Sequence, residues 1–181
     1  MKFDLKAEYF NHQSYLHGIM HTYRVMHNVR IVGQKHNLLP SIVSTAFCSA
    51  FIHDMARTHD GHCTRHGKWA VDEKLPLFEK KFNLFGLSKE EIATLKTAVT
   101  FHSLSEEIDR SHPHYPVTAL LKDADALDRI RLGTYGLNPA YLRLPKSKNL
   151  IKHAESNYLI SQNSMCESFA EFLHLIGESS H

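Results

Sequence analysis

The stretch Ser49-Ala-Phe-Ile-His-Asp-Met-Ala-Arg57 sets an imidazole and a carboxylate, His53 and Asp54, into an otherwise apolar run. From 41 to 57 the pattern is helical, with Val43, Ala46, Phe47 and Ala50 recurring at three- and four-residue spacing to define a buried face. Asp54 falls on that face, and His53, about 100° round the helix, lies at its edge. An ionised carboxylate in a core has to be compensated. A cation held jointly by the two side chains would do so, and an ion pair with an arginine such as Arg57 is the structural alternative.

The same conflict recurs on three other predicted helices. In the first, 14–36, the residues His17, His21, Arg24 and Asn28 share a stripe with Met20, Ile31 and Val32. In the helix opened by Ser88-Lys-Glu-Glu91, a capping box, the stripe Ile92, Leu95, Val99 runs into His102. After Pro116, the face is set by Val117, Leu120, Leu121 and Ala124, with Asp128 inside it and Asp123 and Asp125 at its borders. Periodicity leaves the choice between those two open.

No strand alternation and no internal repeat interrupts this pattern, so the fold class is an all-α bundle, a single domain over 1–181. Its core is expected at about 14–132, followed by an irregular segment and C-terminal helices over 133–181. A polar loop at 58–64 leads to a helix from about 65 to 82, and 105–116 is a loop near the expected site. The segment 133–148 is punctuated by Gly and Pro and is expected to cover one side of a cleft. One or two helices follow over 149–176, and 177–181 is expected to fray.

Taken in order, His21, His53-Asp54 and Asp125 resemble the H…HD…D signature of the HD-domain metal-dependent phosphohydrolase superfamily. The flanking text is similar as well, as His17-Gly-Ile-Met-His21-Thr-Tyr-Arg24-Val25 and Lys122-Asp-Ala-Asp125-Ala-Leu-Asp128-Arg129. The segment from His53 through Arg57 and Asp60 to His66-Gly67 resembles a bacterial subgroup of that superfamily. The resemblance covers most of the chain and implies that His21, His53, Asp54 and Asp125 bind metal. Some similar families add a histidine after the HD helix and others from the next helix, which makes His66 and His102 candidates for a second ion bridged by Asp54. Where several dinuclear members have a His-His pair, this chain has Ser103 after His102. One ion with His66 and His102 as substrate contacts or proton donors is the other arrangement.

Imidazole and carboxylate donors suit Fe, Mn, Co, Ni, Zn or Mg, and no paired cysteines offer a thiolate site. Open positions on such an ion would hold water and generate hydroxide near neutrality. The resemblance thus implies a hydrolase that turns metal-bound hydroxide on a small phosphorylated molecule, such as a nucleotide. Arg24, on the stripe of His21, is the first candidate to hold phosphate, followed by Lys122, Arg129, Arg131 and Arg143. Asp128 is expected to hydrogen-bond a ligand histidine or Arg24, and Arg57 to pair with Asp60. The chain holds 15 histidines in 181 residues, and His12, His27, His36, His59, His62, His112, His114, His153, His174 and His181 are assigned to the surface or to supporting roles. Two rivals are an HD-type diiron oxygenase and a binding or sensory module with a structural metal.

A chain of this length is expected to bury roughly 70% of its unfolded surface. Its net charge of +2, without a dense basic stripe, suggests no duplex nucleic acid partner. The odd set Cys48, Cys63 and Cys166, with no secretory signal at Met1-Lys-Phe-Asp and no stretch long enough to span a membrane, points to a cytoplasmic protein. Oligomeric state is not legible.

Overall fold

Helix boundaries follow from identifiable local chemistry. The computed structural model describes residues 2–178. α1 (Ile19–Lys35) and α2 (Pro40–Ile52) form an antiparallel pair, and α2 opens on Pro40, whose missing N–H is one a helix start leaves unused anyway. After α3 (His66–Trp69) and α4 (Leu75–Phe85), α5 (Lys89–His102) begins at the expected capping box. There Ser88 N–H donates to Glu91 Oε2 at 2.7 Å and Glu91 N–H donates to Ser88 Oγ at 3.2 Å; such a cap is worth about 0.5–2 kcal/mol. α6 (Tyr115–Asp128), α7 (Ile151–Ser161) and α8 (Phe169–Leu175) complete an all-α domain with no strand among the described residues.

α1 packs on α2 and α6, α5 packs on the same two, and α2 and α6 touch each other. Their apolar faces bury Val25, Val29, Phe51, Ile52, Leu95, Leu120 and Leu121 in one continuous core. This core also takes in Phe3, Leu5 and Phe10, so it begins before the expected boundary at 14. Phe3 sits edge-on to Phe47 and Phe51, and the Leu5 N–H donates to Tyr23 Oη at 2.9 Å, which satisfies both groups inside the core.

Three expected helices are corrected. α1 starts at Ile19 rather than 14, because Ser14 Oγ accepts the N–H groups of Leu16 and His17 and makes a turn there instead. α2 stops at Ile52 rather than 57: the His53 ring takes the Ala50 carbonyl, and the chain continues in tight turns through Met55 N–H to Ile52 O and Arg57 N–H to Asp54 O. The single helix expected over 65–82 is interrupted by a π-helical turn at Ala70–Lys74. Pro76 in the first turn of α4 has no N–H to return to the preceding turn, and the wider turn absorbs that loss.

The segment 133–148 is irregular as expected, with a short 3-10 turn at Pro139–Tyr141 and a second, Ser147–Leu150, beginning at its end. Fraying of 177–181 is not what Gly177 and Glu178 show. Gly177, at φ +80, donates its N–H to His174 O, and Glu178 N–H reaches Leu173 O at 2.9 Å, a hydrogen-bonded helix stop; residues 179–181 lie outside the described residues. No described helix is long and apolar enough to cross a membrane.

Candidate metal centre

The first turn of α1 meets the C-terminal ends of α2, α5 and α6, and the chemistry-bearing residues collect at that junction. His21 is in the first turn of α1, His53 directly follows α2, His102 is the last residue of α5, and Asp125 lies in the last turn of α6. Each helix C-terminus carries a partial negative charge of about −0.5 from its unpaired carbonyls, so three of them together favour a cation. His66, the first residue of α3, comes close because Gly67 lets α3 approach α5. A Cβ at Gly67 would stand 2.2 Å from Val99 O and 3.1 Å from His102 Nδ1.

One local device aims three of the rings. His53 Nδ1 lies 2.7 Å from Ala50 O, His66 Nδ1 2.8 Å from Cys63 O, and His102 Nδ1 2.5 Å from Val99 O, in each case a carbonyl three residues back. A carbonyl only accepts, so each Nδ1 carries the proton and each Nε2 presents a lone pair. His21 is fixed the same way by Asp128, whose Oδ2 is 2.7 Å from Nδ1.

These lone pairs converge. His21 Nε2 and His53 Nε2 are 3.2 Å apart, and His66 Nε2 and His102 Nε2 are 2.9 Å apart. Two facing lone pairs at such distances repel unless a proton or a metal cation lies between them, and at the second pair Arg57 Nη1 also reaches His66 Nε2, at 3.2 Å. Donors about 2.0–2.1 Å from a shared ion are separated by about 2.9–3.4 Å at octahedral to tetrahedral angles. Asp54 stands between the two pairs. Its Oδ2 is 3.4 Å from His21 Nε2 and 3.7 Å from His53 Nε2, and its Oδ1 is 3.0 Å from His66 Nε2 and 3.5 Å from His102 Nε2. Asp125 Oδ1 joins the first pair at 3.5 Å from His21 Nε2. The centre thus contains buried His/Asp groups close enough together to hold a metal ion.

The three carboxylates are unequally compensated. Asp128 is neutralised by Arg24 and Arg131, and Asp54 has Arg57 Nη1 at 3.7 Å. Asp125 meets no lysine or arginine in ion-pair contact among the described residues. Burial pushes His53 down to about 3, so this ring is neutral at pH 7 and supplies no positive charge. Burial opposes ionisation of Asp125, but the histidines turned toward it outweigh burial and hold it at about 2. Asp54 is likewise held well below the usual carboxylate range. In number the three arginines balance the three carboxylates, and Asp125 is the one left without an arginine in contact.

Compared with protein-family models, curated proteins and solved structures, the chain matches none of them.

Several residues singled out in the sequence are committed elsewhere. Arg24 donates from Nε and Nη2 to Asp128 and from Nη1 to Ser161 Oγ at 3.4 Å, so it braces the carboxylate behind His21 instead of standing free for phosphate. All three donors of Lys122 are used, on Leu104 O, Glu106 O and Glu107 Oε1, which fastens the loop after α5. Arg143 grips Glu107 through Nε and Nη2 and Tyr141 O through Nη1, and Arg129 donates Nε to Gly136 O. The expected Arg57 to Asp60 pair does not form. Asp60 takes Ser14 Oγ and His12, while Arg57 turns inward to His66 and to Gly61 O.

The border ambiguity on α6 is resolved by geometry. Asp123 accepts the N–H groups of Arg143 and Leu144 at 2.8 and 2.9 Å and anchors the irregular segment, whereas Asp125 faces the histidines. His17 sits in the turn before α1, with Nδ1 2.8 Å from Asp54 Oδ2 and 3.3 Å from Arg131 Nη2. Arg131 and Arg24 also line a cavity of about 690 Å³ between the N-terminal segment, α1 and α7, together with Ser14, Ile19 and Tyr158. His27, assigned to the surface or a supporting role, is wholly buried.

Proposed function

We propose that the chain is a metal-dependent phosphohydrolase of the HD type, acting on a small phosphorylated molecule of nucleotide size. The observation that carries this reading is Asp54, whose two oxygens each face a different pair of histidine lone pairs. A carboxylate shared in that way suits two divalent ions, with His21, His53 and Asp125 on one side and His66 and His102 on the other. All donors are nitrogen or oxygen, which fits first-row ions such as Mn, Fe, Co, Ni or Zn, or Mg. Ions bound there would supply Lewis acidity toward a phosphoryl oxygen and bring the pKa of coordinated water near neutrality.

The chain's own groups do the positioning. Asp128 keeps the proton of His21 on Nδ1, and Arg24 keeps Asp128 in place. The carbonyl-bound Nδ1 protons of His66 and His102 support a ligand role for both over proton donation. Like Arg24, Lys122 and Arg143, Arg131 is engaged, through Nε on Leu16 O and Nη1 on Asp128, and Nη2 is the one guanidinium nitrogen it has left to offer a phosphate. Its Nη2 contacts only the His17 ring, at 3.3 Å, and its side chain lines the cavity. At about 690 Å³ the cavity is of small-molecule size, roughly 300–1,000 Å³, but none of the six proposed ligands lines it, and it meets the centre through Arg24 and Arg131.

Elemental analysis of the purified protein beside Asp54→Ala, followed by a phosphate-release screen over monoesters, diesters and nucleotides, tests the proposal. Metal that is lost in the variant, together with turnover of a phosphate ester, supports it. A metal-replete protein that cleaves none of these substrates overturns it. The same six-donor arrangement around one carboxylate also suits two irons, so iron with a dioxygen-sensitive spectrum would favour an oxygenase instead.

A further inference from the structure

A second set of donors lies away from this centre. His27 is six residues beyond His21 on α1, about 9 Å along the helix axis at 1.5 Å per residue. His153 comes from α7, and Glu178 follows the turn that ends α8. Ligand atoms of these three residues lie within 4.8 Å of one another. We propose that His27, His153 and Glu178 form a separate site for a divalent transition ion such as zinc, which clamps the C-terminal turn onto α1.

The independent observation is the state of the His27 ring. This residue is fully buried, and its Nε2 has no hydrogen-bond partner in line with it among the described residues. Glu178 Oε1 is only 2.8 Å away, yet off the direction in which an N–H would donate. A buried polar nitrogen left this way is destabilising unless something else binds it. Two donors sharing an ion are close in just this manner, because each points at the metal and not at the other. His and carboxylate ligands at about 2.0–2.2 Å from zinc bring their donor atoms to near 3 Å.

The surrounding groups suit this role. Asn157 Nδ2 lies 3.3 Å from His27 Nδ1 and 3.1 Å from His153 Nε2, and the flipped amide presents Oδ1 at the same position. With its oxygen turned to His27 it accepts from Nδ1–H and leaves the Nε2 lone pair free, the outer-sphere arrangement of a ligating histidine. Glu178 is not on a loose tail. The left-handed Gly177 and the hydrogen bond from Glu178 N–H to Leu173 O deliver it to this spot. His153 and Glu178 are half-buried, so an ion has access from solvent.

The test uses the full chain with zinc itself as the probe. Zinc content after dialysis and melting temperature with and without zinc are measured for the parent, His153→Ala, Glu178→Gln and Asp54→Ala. The expected result is one zinc fewer per chain in each of the first two variants, and a smaller zinc-dependent rise in melting temperature. Asp54→Ala reports on the central site alone, so failure there leaves the difference between the parent and His153→Ala intact. Equal zinc content in the parent, His153→Ala and Glu178→Gln overturns the proposal and leaves a His27 to Glu178 ion pair. Circular dichroism checks that each variant is folded. Should one fail to fold, the other variant, compared with the visible absorption of the cobalt-loaded parent, gives the same answer.

Discussion

Asp128 Oδ2 lies 2.7 Å from His21 Nδ1, and the same carboxylate takes Nε and Nη2 of Arg24. A ligand histidine is thereby oriented by a carboxylate, which is itself held by a buried arginine. Asp128→Asn is expected to weaken metal binding about 10–100-fold, measured by competition with a chelator. It also leaves Arg24 buried without its partner, at a cost of about 3–5 kcal/mol in urea unfolding. Adding Arg24→Met should recover part of that stability and none of the affinity. Affinity that returned together with stability would show that Asp128 does not act through the ring.

Gly67→Ala places a Cβ 2.2 Å from Val99 O, so α3 and α5 must separate. The expected loss is about 1–3 kcal/mol, the range for overpacking. His66 and His102 draw apart in the same movement, so metal content should fall by one ion per chain while the ion on His21 and His53 stays. Unchanged content together with a lowered melting temperature would separate packing from ligation at this glycine.

Lys122→Met removes three donors from a buried position and leaves Leu104 O and Glu106 O without their partner. A destabilisation of about 1–3 kcal/mol is expected, with faster amide exchange centred on residues 104–107. A direct role for Lys122 in holding substrate would instead show as a raised KM with the exchange pattern unaltered.

Glu107 gives the same loop a pH dependence. Burial would raise its pKa, but hydrogen bonds from Arg143 and Lys122 outweigh burial and bring it below the ordinary 4.5. A lowered folded-state pKa contributes stability that is fully present above about 4.5 and is lost as pH falls through the folded value. Proteolytic cleavage between 104 and 116 should therefore accelerate on acidification below that point, and Glu107→Gln should cut fast at every pH. A parent loop that is equally resistant at pH 3 and pH 7 would rule this out.

Much of the bundle was legible because local and long-range signals agree. The capping box at Ser88 and the stripe from Ile92 to Val99 both call for α5, and a His-Asp pair inside an apolar run marks the end of α2 as unusual. What was hidden depends on partners far away in the chain. Sequence shows that Lys122 and Arg143 carry charge, but not that Glu107 waits for both. Asp123 and Asp125 sit symmetrically on the border of one face, and only the position of the 143–144 backbone separates their roles. The stop after Ile52 was missed because a ring nitrogen, not a backbone N–H, takes the Ala50 carbonyl. The break at Pro76 had a visible cause, since proline inside a predicted helix removes a hydrogen bond wherever it falls.

The carbonyl three residues behind His53, His66 and His102 holds each ring from within its own segment. Each ligand is therefore aimed before its neighbours arrive, and tertiary packing has only to set how far apart the segments stand. Tuning of the centre then becomes a matter of spacing. A substitution remote from every ligand, which slides α5 along α2 by a few tenths of an ångström, would change which ion fits while leaving all three rings pointing as they do.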